Sequence, residues 1–186
     1  MKKYRTLFPM TGDVMDVLVF EGKTYTRPNE KWVDSRSMVA PEGLQKDLNR
    51  EFAKQIDTTV LSLEECVVHG DRFKNSSSTG LALKFYEEAV KKADRSTMAY
   101  ILPRMTSCYR QNGMPQKAID ILTYASNTFG KDMVTPALLT SVAGAYCDLG
   151  DYVRAKKCCD RAYAQLNGKR SEELSLVYKR IQKATE

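Results

Sequence analysis

Three segments of this 186-residue chain carry the same residue types in the same order, offset by 36 and then 37 residues. Self-similarity at such a period constrains a fold more than any local signal, because each repeat must be one supersecondary unit that buries its apolar face against its neighbours. An aromatic recurs as Phe73, Tyr109 and Tyr146, and a small residue three positions earlier as Gly70, Thr106 and Ala143. Two alanines recur as Ala82/Ala89, Ala118/Ala125 and Ala155/Ala162. The pattern is that of an antiparallel helix pair. The small residue of the first helix is expected to let the second helix approach at its own alanine, while the aromatic fills the wider end of the hairpin.

The punctuation between helices agrees. Asn112-Gly113 and Leu149-Gly150-Asp151 put a glycine where a helix C-terminus needs a positive φ, and Pro115 suits the first turn of the helix that follows. Thr135-Pro136 reads as an N-cap and a first-turn proline. The first hairpin lacks such a glycine, and its polar run from Asn75 to Gly80 is expected to be a flexible loop rather than a tight corner. Pro103 either bends a helix that starts at Ser96 or marks a helix that begins nearer Leu102. After the third hairpin, Asn167-Gly168-Lys169-Arg170 breaks the chain. Ser171, Glu172 and Glu173 then open an amphipathic helix with the stripe Leu174, Val177, Tyr178 and Ile181. Its other face, with Lys179, Arg180 and Lys183, is expected to stay in water, as the end of a stacked array requires.

These residues resemble the tetratricopeptide repeat (TPR) family, with about three repeats over residues 58–167 and a C-terminal capping helix. The family's small position matches Gly70, Thr106 and Ala143; its aromatic Phe73, Tyr109 and Tyr146; its turn glycine Gly113 and Gly150; its alanines the three pairs above. Each repeat is two or three residues longer than the family's, Cys66, Leu102 and Leu139 stand at its tryptophan position, and Gly130 replaces its terminal proline after the second repeat. The fold class so implied is mainly α, a right-handed α-α superhelix of helical hairpins.

Residues 1–57 differ in kind. Val14 to Phe20 and Lys23 to Thr26 read as strands around a turn at Glu21-Gly22-Lys23, with Lys31-Trp32-Val33 as a third, so a small β-hairpin appendage is expected. Ala40-Pro41-Glu42 then opens a helix with Leu44, Leu48, Phe52 and Ile56 on one stripe, which should dock on the first repeat. A sheet this small needs the helices, another subunit or a ligand to hold it. Two units are thus expected: 1–57, hairpin and docking helix, and 58–186, the repeats and cap.

Motifs for catalysis are missing: no GxxxxGK[ST], GxGxxG, HExxH or GxSxG occurs. The single histidine, His69, falls at a packing position beside Gly70 and reads as structural, and nothing nearby in sequence activates a Cys66–His69 pair. The five cysteines, with no CxxC spacing, read as reduced thiols rather than metal ligands, and Cys159 as core. No enzyme activity, cofactor or metal is expected. With no run of 18 apolar residues and no signal-peptide pattern at Met1 to Thr11, the expected address is the cytoplasm and no membrane partner is expected.

The resemblance implies a protein-binding scaffold or adaptor that holds a partner segment in its concave groove. First-helix residues just off the packing positions would line that groove: Glu64, Val67, Asp71 and Lys74; Tyr100, Pro103, Arg104, Ser107 and Arg110; Ala137, Thr140, Ser141, Gly144 and Asp148. Of these, Asp71, Lys74, Tyr100, Arg104, Ser107, Arg110, Thr140 and Asp148 are the candidate contacts. The Lys and Asn set of the family's carboxylate-clamp members does not stand at these positions. A second reading is a nucleic-acid-binding helical repeat, drawing on the region from Gly150 to Glu186, where nine Lys/Arg face five Asp/Glu in a chain of net charge +6. A third is self-association through residues 1–57, with Phe20, Tyr25 and Trp32 supplying aromatic area.

Overall fold

A computed structural model describes residues 5–7, 14–28 and 30–186. Repeat one is α2 (Leu63–Asn75) and α3 (Thr79–Lys92), repeat two α4 (Arg95–Gln111) and α5 (Pro115–Phe129), repeat three α6 (Pro136–Asp148) and α7 (Tyr152–Gln165), and α8 (Glu172–Thr185) follows. Ahead of them stand β1 (Arg5–Leu7), β2 (Val14–Phe20), β3 (Lys23–Arg27), β4 (Val33–Asp34) and α1 (Glu42–Gln55). The strands form one antiparallel sheet in the order β1-β2-β3-β4, one strand more than the sequence reading allowed, because β1 comes from a stretch without clear alternation.

Local chemistry sets the helix ends. Ser62, Asp94, Thr135, Asp151 and Ser171 each accept a backbone N–H of the first turn that follows, and at Ser62 the Glu65 carboxylate reaches back to complete a capping box. The three hairpin turns are the same motif. In each, the residue after the C-cap has a positive φ: 56° at Ser77, 70° at Gly113 and 75° at Gly150. The next residue, Ser78, Met114 or Asp151, sends its N–H back to the carbonyl of Phe73, Tyr109 or Tyr146 at 2.8–2.9 Å. The expected flexible loop in the first hairpin is therefore a three-residue corner in which Ser77 takes the left-handed conformation without a glycine, and α3 starts already at Thr79.

The core runs through the array as a continuous set of buried side chains, among them Phe73, Phe85, Tyr86, Ile101, Leu102, Leu138, Leu139 and Leu174. All six repeated alanines are fully buried. At the small position of repeat one, the residue that approaches is not an alanine of α3. The Tyr86 ring lies on Gly70 so closely that a Cβ there would stand 2.5–2.9 Å from three of its carbons.

The N-terminal unit docks through buried charge, which its sequence did not advertise. The alternation of β2 and β3 points Asp16, Leu18, Tyr25 and Arg27 inward. Arg27 donates to Asp16 through Nε at 3.1 Å and Nη2 at 2.7 Å, and through Nη1 to Asn49 of α1 at 3.2 Å. Its guanidinium lies 4.8–5.2 Å from the ring centres of Trp32, Phe52 and Phe73, and Arg72 of α2 adds a third bond to Asp16 at 2.8 Å. Trp32 donates Nε1–H to Asn49 at 2.8 Å and is fully buried, and Tyr25 is buried as well. Of the three aromatics named for self-association, Tyr25 and Trp32 are buried within the unit and Phe20 is half-buried. As expected, α1 turns Leu48, Phe52 and Ile56 inward, and Phe52 meets His69 of repeat one at 5.6 Å between ring centres.

Candidate functional site

The first helices of the repeats, α2, α4 and α6, run side by side, and the candidate groove residues all sit on them. Pro103 lies inside α4, which begins at Arg95 behind the Asp94 cap, so the helix includes the proline and forgoes the bond to the Ala99 carbonyl. Lys74, Pro103, Arg104, Ser107, Ala137, Thr140 and Ser141 line one open groove of about 550 Å³. Thr135, Pro136, Leu166, Ser171 and Glu173 close its other side, which the sequence reading missed. They come from the α6 start and the α7–α8 junction, positions brought over only by the stacking of the last repeat, so no local pattern marks them. Glu64, Val67, Asp71, Tyr100, Arg110, Gly144 and Asp148, which the sequence also put there, are not among its walls.

The charged candidates hold one another. Asp71 of α2 accepts hydrogen bonds from the Tyr86 hydroxyl, from the Tyr100 hydroxyl at 2.6 Å and from Arg104 Nε at 3.1 Å. The Arg104 guanidinium carbon lies over the Tyr100 ring, 3.3 Å from its centre. Burial, with the bond to Asp71 behind it, raises the pKa of both tyrosines, so both stay neutral donors at physiological pH. At the next junction, Arg110 of α4 donates to Asp148 of α6 at 2.7 Å, and Arg180 of α8 donates to the other oxygen at 2.6 Å. Arg110 crosses Gly144 to get there, where any side chain would overlap its guanidinium. Burial pushes the Asp148 carboxyl up, but the hydrogen bonds and charges of Arg110 and Arg180 outweigh it and hold the pKa below the usual value. Arg180 stays exposed, as expected, and in addition bonds the cap to the array.

Arg104 and Arg110 therefore tie consecutive repeats together, one on each side of α4. That leaves Lys74 as the groove cation without a carboxylate partner among the described residues. The hydroxyl of Thr140 is committed to the Pro136 carbonyl at 2.8 Å, and the side chain is buried.

His69 is buried between Phe52 and Phe85, in a packing position. All five cysteines are buried and free, and burial raises each thiol pKa, that of Cys108 to about 11 and that of Cys159 to about 12. Among the described residues no group of three or more His, Cys, Asp or Glu side chains is placed to hold a metal ion, and no helix is long and apolar enough to cross a membrane.

No protein-family model and no curated protein matches this chain. Solved structures do match it. The chain is similar to the Sgt2 TPR domain from Aspergillus fumigatus, with 15% identity over 66% of this chain and 78% of that one, at a TM-score of 0.57. It is similar to PcrH from Pseudomonas aeruginosa, with 17% identity over 68% and 96% of the two chains and a TM-score of 0.54. The P58(IPK) TPR domain matches 77% of this chain at 16% identity and a TM-score of 0.56, although the match spans only 42% of that chain. At such identities the likeness concerns fold. The chain has the TPR fold, a right-handed α-α superhelix of helical hairpins, with a small antiparallel sheet added at its N-terminal side.

Proposed function

We propose that the protein is a non-catalytic scaffold or adaptor of the cytoplasm that holds an extended segment of a partner protein in the groove between α2, α4 and α6. The observation that carries this reading is the groove itself: about 550 Å³, open to solvent, with small and apolar walls at Pro103, Ser107, Ala137 and Ser141 and a cation, Lys74, at one side. An extended peptide needs partners for its backbone groups, and the groove offers the hydroxyls of Ser107, Ser141 and Ser171 with Lys74 and Glu173 beside them. In this reading residues 58–186 bind and residues 1–57 cap the array.

The arginine pairs change the choice of test. Reversing Arg104 or Arg110 would break inter-repeat ion pairs as well as alter the groove, so a loss of binding would have two explanations. Ser107→Arg and Ser141→Arg instead fill the channel from partly exposed positions that hold no repeat together. Full chain and double variant are compared by pull-down from lysate and by circular dichroism. The expected result is an unchanged helical spectrum and the loss of proteins that the unaltered chain retains. An identical retained set would remove the groove from the reading, and retention of nucleic acid in a strongly salt-dependent way would replace the protein partner.

A further inference from the structure

The array has a second groove, on another face, at a corner that α5 covers after repeat one and that stays open after repeat three. Tyr109 of α4 donates to Glu87 of α3 at 2.9 Å and lies under Lys117 of α5, so three successive helices meet at that corner. The corresponding corner after repeat three has only two. Tyr178 of α8 donates at 2.8 Å to Asp160 of α7, which is two repeats on from Glu87, and no further helix covers the pair among the described residues. Arg170 lies over the Tyr178 ring at 4.5 Å where the next helix would come. What remains is a groove of about 610 Å³ between α7 and α8, with Tyr152, Val153, Tyr178 and Ile181 as its apolar walls. Val153 is 70% exposed, an apolar side chain facing water at the mouth of an apolar cleft.

Its rim is not neutral. Lys156 stands where the earlier repeats have the buried Leu83 and Ile119, and it is matched by Asp160 at 2.8 Å. Lys157 and Arg170, also on the rim, have no carboxylate partner among the described residues, so the cleft carries two uncompensated positive charges.

We propose that this α7–α8 groove docks an amphipathic helix of a partner protein whose apolar stripe covers Val153 and the partly exposed rings of Tyr152 and Tyr178 and whose flanks carry Asp or Glu against Lys157 and Arg170. An apolar cleft shaped by two helices accepts a third through residues spaced i, i+3, i+4 and i+7. The unmatched cations select the acidic member of that class and raise its association rate at low salt. The site is separate from the concave groove, so a partner segment and a partner helix could be held at once, which is what an adaptor needs.

The probe is a displayed library of helix-forming peptides with Leu at i, i+3, i+4 and i+7 and flanks randomised between Glu and Lys, selected on the full chain. Enriched peptides should be acidic on both flanks. Their affinity, read by fluorescence anisotropy, should fall at least about tenfold for Val153→Asp and for Lys157→Glu, with no change for Ser107→Arg in the concave groove. Four results would overturn the proposal: enrichment of Lys flanks, affinities indifferent to Val153→Asp, equal binding of poly-glutamate, or the absence of any saturable binder. A concentration-dependent rise in mass, seen by sedimentation and lost in Val153→Asp, would assign the groove to a second copy of this chain and overturn it as well.

Discussion

Two glycines of the first helices should respond differently to alanine, one with a clear loss of stability and the other with none. At Gly70 an added methyl meets the Tyr86 ring at 2.5–2.9 Å, and that ring is fully buried, with its hydroxyl bound to Asp71. It has nowhere to go. Overpacking of this kind costs about 1–3 kcal/mol, and loss or distortion of the Tyr86–Asp71 bond adds about 1 kcal/mol. Replacing a mid-helix glycine by alanine returns roughly 1 kcal/mol. The net loss for Gly70→Ala is therefore about 1–3 kcal/mol, and its middle value lowers Tm by about 4–8 °C in a chain of this size. At Gly144 the methyl meets the end of the Arg110 side chain, which is long, flexible and a quarter exposed. Arg110 can yield at the cost of a partly exposed ion pair, about 0–1 kcal/mol, against the same helix gain. Gly144→Ala should be neutral or slightly stabilising. Urea unfolding followed by helical circular dichroism measures both, with equal m-values required before the midpoints are compared. A Gly70→Ala variant as stable as the parent would show that the ring is not pinned and would refute the close-contact account of repeat one.

Ser77→Gly relieves a non-glycine residue in the left-handed region at the first hairpin corner and should stabilise the chain by about 1 kcal/mol, read as a higher urea midpoint. Asp148→Asn removes the carboxylate shared by Arg110 and Arg180 and should lower stability at neutral pH. Because the Asp148 pKa is depressed in the folded chain, its contribution is complete above the ordinary value of 3.8 and is lost as pH falls through the lower folded value. The gap between parent and variant should thus close only below that ordinary value; a gap that closes at higher pH would point to another group.

The helical part of this fold was legible because its cues are local and repeated. Caps at Thr135 and Ser171, glycines at 113 and 150 and the alanine pairs each announce themselves within a few residues, and the repetition protects against reading any one wrongly. The misreadings fall where a cue is local but the deciding contact is not. Nothing around Ser76-Ser77-Ser78 announces a Schellman corner, since serine is not the residue that conformation favours. Arg104 and Arg110 look like ligand-binding arginines in one dimension. Only the stacking brings Asp71 and Asp148 to them, from 33 and 38 residues away. Trp32 looked like surface aromatic area because its partners Gln45, Asn49 and Arg27 lie on other elements.

The two ends of the array are finished differently, and the difference bears on function. At the N-terminal end, the sheet and α1 cover repeat one with fully buried groups. Arg27 sits among three aromatic rings with Asp16 against it, and Lys84 donates to the Ala53 and Ile56 carbonyls that end α1. Burying an ion pair gains little stability over apolar packing, but removing one partner is costly, so such a cluster holds one register of docking against all others. At the other end, α8 covers repeat three with Leu174 and Ile181 and ties itself to Asp148 through Arg180, yet leaves Val153 in water and, among the described residues, Lys157 and Arg170 without carboxylates. A cap that served only solubility would put charge where Val153 stands. An apolar mouth with unmatched positive charge around it instead favours addition of one more helix, provided that helix is acidic.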